Sequence, residues 1–323
     1  MLTRLEKRFA FWCIVAATAP LLSHGVVVAA PLAYVTNIYA DTVSIIDTAT
    51  NTVTATARVG DAVRPNALAI TPDQRSVYVV NGQLRTVSVV DAATKTLTAT
   101  IPLGDAPQGA MPTTIAITPD NRFAYVAPFG GTGGLAVIDV ATNTVVARPA
   151  LSFGTGVIFV GGIAPAPDGK RAYIIGDATS NGVFFSGYAR AVLDTTTNEV
   201  TDVVRLERGA SSVTVSPDGR FLYLTTTDGS TGAIVTIDTS VNTVVSETPL
   251  AAVPRSSAIT PDGRLLYIAV NKPPLDDGSL GAAGEQWLDD LVRAADQALY
   301  QAKSAGRNRV SAAVAVAVPG DEH

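Results

Sequence analysis

The stretch Ala67-Leu68-Ala69-Ile70-Thr71-Pro72-Asp73-Gln74-Arg75-Ser76-Val77-Tyr78-Val79-Val80-Asn81 constrains this chain more than any other, because it recurs. It reads as a short apolar strand, a tight turn at Thr-Pro-Asp and a second strand carrying a tyrosine. Close variants return at 115–127, 163–175, 213–225 and 257–269. Tyrosines mark the second strand of each unit at Tyr34, Tyr78, Tyr125, Tyr173, Tyr223 and Tyr267, spaced 44, 47, 48, 50 and 44 apart. Aspartates close the third strand at Asp47, Asp91, Asp139, Asp194 and Asp238. A period near 45 residues built from four short strands predicts an all-β chain, a β-propeller of four-stranded blades.

The recurring residues have mechanical reasons. Pro72, Pro119, Pro167, Pro217 and Pro261 preset φ for a tight turn, and the Asp that follows, with Gly169, Gly219 or Gly263 next, supplies its φ > 0 positions. The strand-end aspartates are placed to accept backbone N–H bonds in the next turn, where Asn51, Asn143, Asn198 and Asn242 tolerate a left-handed φ. Val43 and Ile45 fall on one face of a third strand and Ile46 on the other. A blade needs apolar residues on both faces, because it packs against a neighbour on each side.

The phrase Tyr34-Val35-Thr36-Asn37, with Val-Ser-Ile-Ile-Asp-Thr-Ala-Thr-Asn-Thr-Val and the Thr-Pro-Asp-Gly-Arg turns, resembles the YVTN-family β-propeller repeat proteins over residues 31–272. The resemblance implies an extracytoplasmic protein, similar in fold to quinoprotein-associated and lactonase-type propellers. It implies a binding or scaffold role and carries no catalytic residue over. The array holds six second strands but five each of the third, fourth and innermost strands, about five to six units. Seven blades of this period need about 300 residues, whereas 31–272 supplies 242. The expectation is a ring cut short from seven.

Residues 1–30 read as a secretory signal peptide. Arg4, Lys7 and Arg8 precede 14 uncharged residues, Phe9–Leu22, and a small-residue end reaches Ala29 and Ala30. The run is shorter than the roughly 20 residues of a spanning helix, and Pro20 interrupts it. Cleavage is expected near Ala29 or Ala30, with an uncleaved anchor as the alternative; both place the remainder in the periplasm or outside, with no transmembrane span after signal removal.

Past a linker at 273–284 the period changes. Leu288, Leu291, Val292, Ala295, Leu299 and Ala302 recur at three and four, predicting an amphipathic helix within 285–310. The text Ala295-Asp296-Gln297-Ala298-Leu299-Tyr300-Gln301-Ala302-Lys303-Ser304-Ala305-Gly306-Arg307-Asn308-Arg309-Val310 resembles the C-terminal end of GGDEF diguanylate cyclase domains, and Ser279–Ala283 resembles the strand before it. That family's activity requires a Gly-Gly-Asp/Glu-Glu-Phe loop, which this chain lacks. The tail is therefore read as a fragment, followed by a disordered stretch at 311–323.

Function classes narrow by exclusion. A net charge of −5 offers no basic stripe for nucleic acid. The single cysteine, Cys13, and one of the two histidines, His24, lie in the leader, leaving His323 at the terminus. No thiol nucleophile, Cys/His metal site or Ser-His-Asp triad follows from that inventory. Neither a catalytic residue, a metal nor a cofactor is expected. Asp276-Asp277 and Asp289-Asp290 read as solvated charges, and Gly130–Gly134 lacks the Lys-Ser of a phosphate loop. What remains is a ligand on the loop face: an unidentified protein, glycan or small molecule. Candidate contacts are Arg64 and Arg255, read as similar pre-strand positions, and Phe153, Phe184 and Tyr188 on the long loops Pro149–Gly161 and Asp177–Ala189, near Phe159 and Phe185. The alternative is a lactonase-like hydrolase using loop carboxylates and arginines.

Overall fold

The computed structural model describes residues 16–17, 32–104, 111–129, 134–149, 151–153, 156–180, 183–229, 231–250, 253–263, 265–271 and 311–317. The expected linker, the C-terminal helix and all of the leader except Ala16–Ala17 lie outside them. Every regular element among the described residues is a strand, and among them no helix long and apolar enough to cross a membrane occurs. The chain divides into two compact units, residues 1–152 and 153–323.

The first unit holds three sheets. Leu32–Asn37, Thr42–Asp47 and Thr52–Arg58 form the first, with Ala16–Ala17 pairing antiparallel to Ala33–Tyr34 in the innermost place. Pro65–Ile70, Ser76–Asn81, Thr86–Asp91 and Leu97–Pro102 form the second. Met111–Ile117, Phe123–Phe129, Ala136–Asp139 and Thr144–Ala147 form the third. The second unit holds three more. Gly156–Pro165, Arg171–Ser180, Val183–Asp194 and Glu199–Leu206 form the fourth blade, edged by Ser152–Phe153. Gly209–Val215, Phe221–Thr227, Gly232–Asp238 and Thr243–Leu250 form the fifth. The sixth has Val253–Ile259 and Leu265–Asn271, with Ser311–Ala317 parallel to the latter. Among the described residues there are thus six second strands and five each of the third and fourth, as the repeat implies, but six innermost strands where the sequence reading counts five, because Ala16–Ala17 takes the innermost place of the first sheet. Residues 311–317 depart from expectation: they form a strand where the sequence reading has a disordered tail.

Two-sided burial holds the blades together. Val87 and Val89 pack with Ala124, Val126 and Ile138 of the third blade, while Val90 of the same strand packs with Tyr34, Val43 and Ile45 of the first. In the second unit Tyr173, Ile175 and Val192 meet Leu222, Leu224 and Ile237. Each fully buried Val or Leu of this kind contributes about 1.5–3 kcal/mol.

The turns follow the repeated text with one adjustment. Gln74 N–H donates to Thr71 O at 2.7 Å, Ser76 N–H donates to Thr71 Oγ1 at 3.0 Å, and Arg75 N–H donates to Asp73 at 3.1 Å. The aspartate serves as the acceptor; the left-handed residue is the one after it, Gln74, Asn121, Gly169, Gly219 or Gly263, with φ between 61° and 73°. At the outer turns Asp47, Asp91 and Asp194 each accept two backbone N–H bonds, and Asn51, Asn143, Asn198 and Asn242 are left-handed with φ of 54° to 61°.

The asparagine that ends the second strand also has a job. Asn37 Nδ2 donates to Thr42 Oγ1 and Ser44 Oγ at 3.0 and 2.9 Å, and Asn81 Nδ2 donates to Thr86 Oγ1 and Ser88 Oγ at 3.0 and 2.7 Å. Ser88 in turn donates to Val59 O at 2.6 Å, tying the second blade to the strand exit of the first.

Candidate functional site

Antiparallel pairing brings two kinds of connection to one end of each blade: the hairpin between second and third strands, and the link from the outermost strand to the next innermost one. In the first unit this end is built around Asp41. Its carboxylate accepts N–H bonds from Ala62, Val63 and Arg64 at 2.7, 2.9 and 2.9 Å. Asp41, Ala62 and Arg64 all have left-handed φ, at 54°, 54° and 50°. Strained non-glycine residues persist only where their surroundings over-determine them, and here the surroundings are visible. Gly82 N–H donates to Arg64 O and Gln83 N–H to Val63 O, both at 3.1 Å. Arg64 is therefore pinned at both its N–H and its C=O by the hairpins of two adjacent blades. The hydrogen bond from Arg64, joined by those from Ala62 and Val63 and opposed by slight burial, holds the Asp41 carboxyl below the usual range. The Arg64 side chain is exposed and makes no ion pair among the described residues.

A second feature recurs in every innermost strand after the first blade. The register slips once, between Pro65 and Ala67, Pro112 and Thr114, Val160 and Gly162, Ala210 and Ser212, and Pro254 and Ser256. The extra residues, Asn66, Thr113, Gly161, Ser211 and Arg255, all stand six places before the turn proline. A bulge of this kind re-aims one side chain and is common beside functional sites. Asn66 Nδ2 donates to Pro112 O of the next blade at 2.9 Å, and Ser211 Oγ donates to Pro254 O at 2.9 Å. At these two positions the bulged residue thus stitches one innermost strand to the next.

This register corrects the pairing of the two candidate arginines. Arg255 is the bulged residue inside Val253–Ile259 and corresponds to Asn66; Arg64 precedes its strand by one residue. They belong to different units and different places in the repeat. Arg255 is exposed and, like Arg64, makes no ion pair among the described residues. Beside it in the second unit runs a hydroxyl ladder. Ser257 Oγ lies 2.9 Å from Ser212 Oγ and 2.8 Å from Thr214 Oγ1, and Ser257 N–H donates to Ser212 Oγ at 3.0 Å.

The aromatic candidates stand on strands. Phe159 is within Gly156–Pro165, Phe184, Phe185 and Tyr188 are within Val183–Asp194, and Phe153 ends the short edge strand. The supposed long loops are ladder extensions that make the inner three strands of the fourth blade 10, 10 and 12 residues long. Backbone register places Phe159, Asp177, Tyr188 and Leu206 in one row across four strands. The polar, glycine-containing text Asp177-Ala178-Thr179-Ser180-Asn181-Gly182 hid this, since it reads as a loop. No group of three or more His, Cys, Asp or Glu among the described residues is placed to hold a metal ion.

Comparison with known proteins agrees with this architecture. Residues 10–105 match the family model of the YNCE-like beta-propeller, and residues 163–273 match that of the lactonase, 7-bladed beta-propeller. The chain is a β-propeller. Each match lies in a different unit and covers less than half the chain. No curated protein matches in sequence at a significant level. Hydrazine synthase of Kuenenia stuttgartiensis is similar at 26% identity over 74% of this chain and 70% of its own, with a TM-score of 0.64. A functionally unknown protein from Desulfotomaculum acetoxidans, at 17% identity over 74% and 73% with a TM-score of 0.58, shares the fold. Since 1348 solved chains resemble this one, the likeness specifies architecture and leaves activity to the site.

Two features of the site escape a reading of the sequence. The Asp41 clamp joins residues more than 20 apart with no motif between them. The bulge had a signal, the fixed six-residue offset from the turn proline, once the repeats are aligned on that proline.

Proposed function

We propose that this chain is an exported, non-enzymatic binding module whose loop face takes an anionic ligand, a carboxylate-bearing small molecule or glycan, with Arg64 as its first anchor. The observation that carries the reading is the state of Arg64: an exposed guanidinium without an ion-pair partner among the described residues, on backbone locked in a left-handed conformation by Asp41 and Gly82. A side chain whose backbone is already fixed before a ligand arrives leaves less of the chain to order on binding. Guanidinium groups suit carboxylates through bidentate hydrogen bonding. In the second unit, taken by itself, Arg255 is the one charged residue at the bulge position, on the strand that carries Ser257, and offers a separate anchor of the same kind. The leader-like text supports export.

Titration calorimetry of the purified chain against carboxylate-bearing mono- and oligosaccharides tests this. Binding that weakens tenfold or more in Arg64→Ala, with an unchanged melting temperature, is the expected result. Unchanged affinity in both Arg64→Ala and Arg255→Ala overturns it.

The lactonase match over residues 163–273 favours a second reading, a hydrolase of cyclic esters. It would use a loop-face carboxylate as general base, with the arginines stabilising the developing oxyanion. Acid release from simple γ- and δ-lactones, lost on removing loop acids, would decide for it; binding without turnover decides for the first.

A further inference from the structure

Tyr78 and Tyr173 hold the same place in the repeat, yet their hydroxyls meet different fates. Tyr78 Oη donates to Asn143 Oδ1 in the outer turn of the following blade, with Val140 O also at 3.3 Å. For Tyr173 the corresponding turn residue is Asn242. Arg190 has taken that acceptor: its Nη1 donates to Asn242 Oδ1, while Asn242 Nδ2 donates to Asp202 Oδ2. Arg190 stands four residues before the strand-end aspartate, where the other blades carry Val43, Val87, Leu135 and Ile234. It is 0% exposed.

The result is a buried group of donors without acceptors. Nε and Nη2 of Arg190 and Oη of Tyr173 are buried and make no hydrogen bond among the described residues. Arg190 pairs with Ile175 and Tyr173 with Val192, so the two are diagonal neighbours on one face of the fourth blade. The nearest carboxylate oxygen, Asp202 Oδ2, is 3.6 Å from Nη2, and the Asp202 side chain is 41% exposed. The cation is thus inside the blade contact and its counter-charge at the mouth. Buried polar groups are almost always satisfied. A water among three donors would have to place its own two protons as well; an acceptor-only guest has no such cost. Burial, offset in part by Asp202, lowers the Arg190 pKa, which agrees with a cation short of negative charge.

We propose that the contact between the fourth and fifth blades holds a small monovalent anion of the halide class, bound by Nε and Nη2 of Arg190 and Oη of Tyr173. The site is independent of the loop-face ligand. It explains why a guanidinium is tolerated where the four compared blades are apolar: the anion accepts from the buried donors that Asp202, at the solvent side, leaves unpaired.

Crystals of the full chain grown in sodium bromide, measured at the bromine edge, test it directly. The expected result is an anomalous peak between Arg190 and Tyr173. In solution the melting temperature should rise saturably with chloride at constant ionic strength, with gluconate as the replacing anion. Tyr173→Phe, which removes one donor and keeps the ring, should weaken the chloride dependence about tenfold, the equivalent of one hydrogen bond. An ordered water with no anomalous signal at high bromide overturns the proposal. So does a chloride dependence equal in Tyr173→Phe and the parent.

Discussion

Arg64 donates its backbone N–H to the carboxylate of Asp41 at 2.9 Å, across 23 residues and from one left-handed residue to another. The bond is the central member of a clamp that includes Ala62 and Val63. Asp41→Ala should leave three amides unpaired and cost on the order of 2 kcal/mol in urea unfolding. Because the folded carboxyl titrates below its ordinary range, chiefly through Arg64, its contribution is present above the ordinary carboxylate pKa and is lost as pH falls through the folded value. The parent should therefore lose more stability between pH 6 and pH 3 than Asp41→Asn does. An equal loss would remove Asp41 from the account.

Tyr78 gives the opposite pH dependence. Burial, with smaller contributions from Asp139 and Asp73, pushes its phenol up to about 12. The folded state keeps the proton that the unfolded chain gives up near pH 10, so stability falls as pH rises from about 10 to about 12, by roughly 2–3 kcal/mol. Tyr78→Phe should cost about 1 kcal/mol at pH 7 through the lost bond to Asn143 and should flatten that alkaline fall. Melts at pH 7 and pH 11 on both proteins measure it.

The bulge stitch predicts a gain as well as a loss. Ser211→Ala removes the donor to Pro254 O and should cost about 1 kcal/mol. Gly161 holds the equivalent position with no side chain, and a Cβ there would lie 3.9 Å from Ala210 O with no clash. Gly161→Ser should supply the missing bond and stabilise by about 1 kcal/mol. A lower midpoint for Gly161→Ser would show that the stitch does not transfer between blades.

Gln74 is the costly residue in its turn. At φ 61° it occupies the position that three other blades give to glycine. Gln74→Gly should raise stability by about 0.5–1 kcal/mol, since a glycine has no Cβ to strain there. Denaturant midpoints of the single variant suffice.

The architecture could be read from the chain because its determinants are local. A turn at Pro72-Asp73 and an outer turn at Asp91 are closed by atoms within five residues of one another. Repetition then announces the same hairpin again and again. The fourth blade was harder. Its strands continue through glycine and polar text, because a ladder hydrogen-bonds through backbone whatever the side chains are, and so the aromatic candidates moved from loops to strands.

The repeat, the alternation of apolar faces and the turn chemistry were set by the order of residues alone, since each concerns neighbours in the chain. Folding decided the rest. Which amides Asp41 gathers around Arg64, and that Arg190 takes the acceptor Tyr173 would otherwise use, depend on groups from 21 to 69 residues apart. No local pattern encodes such a pair; it exists only once packed blades bring a donor and an acceptor within hydrogen-bond length.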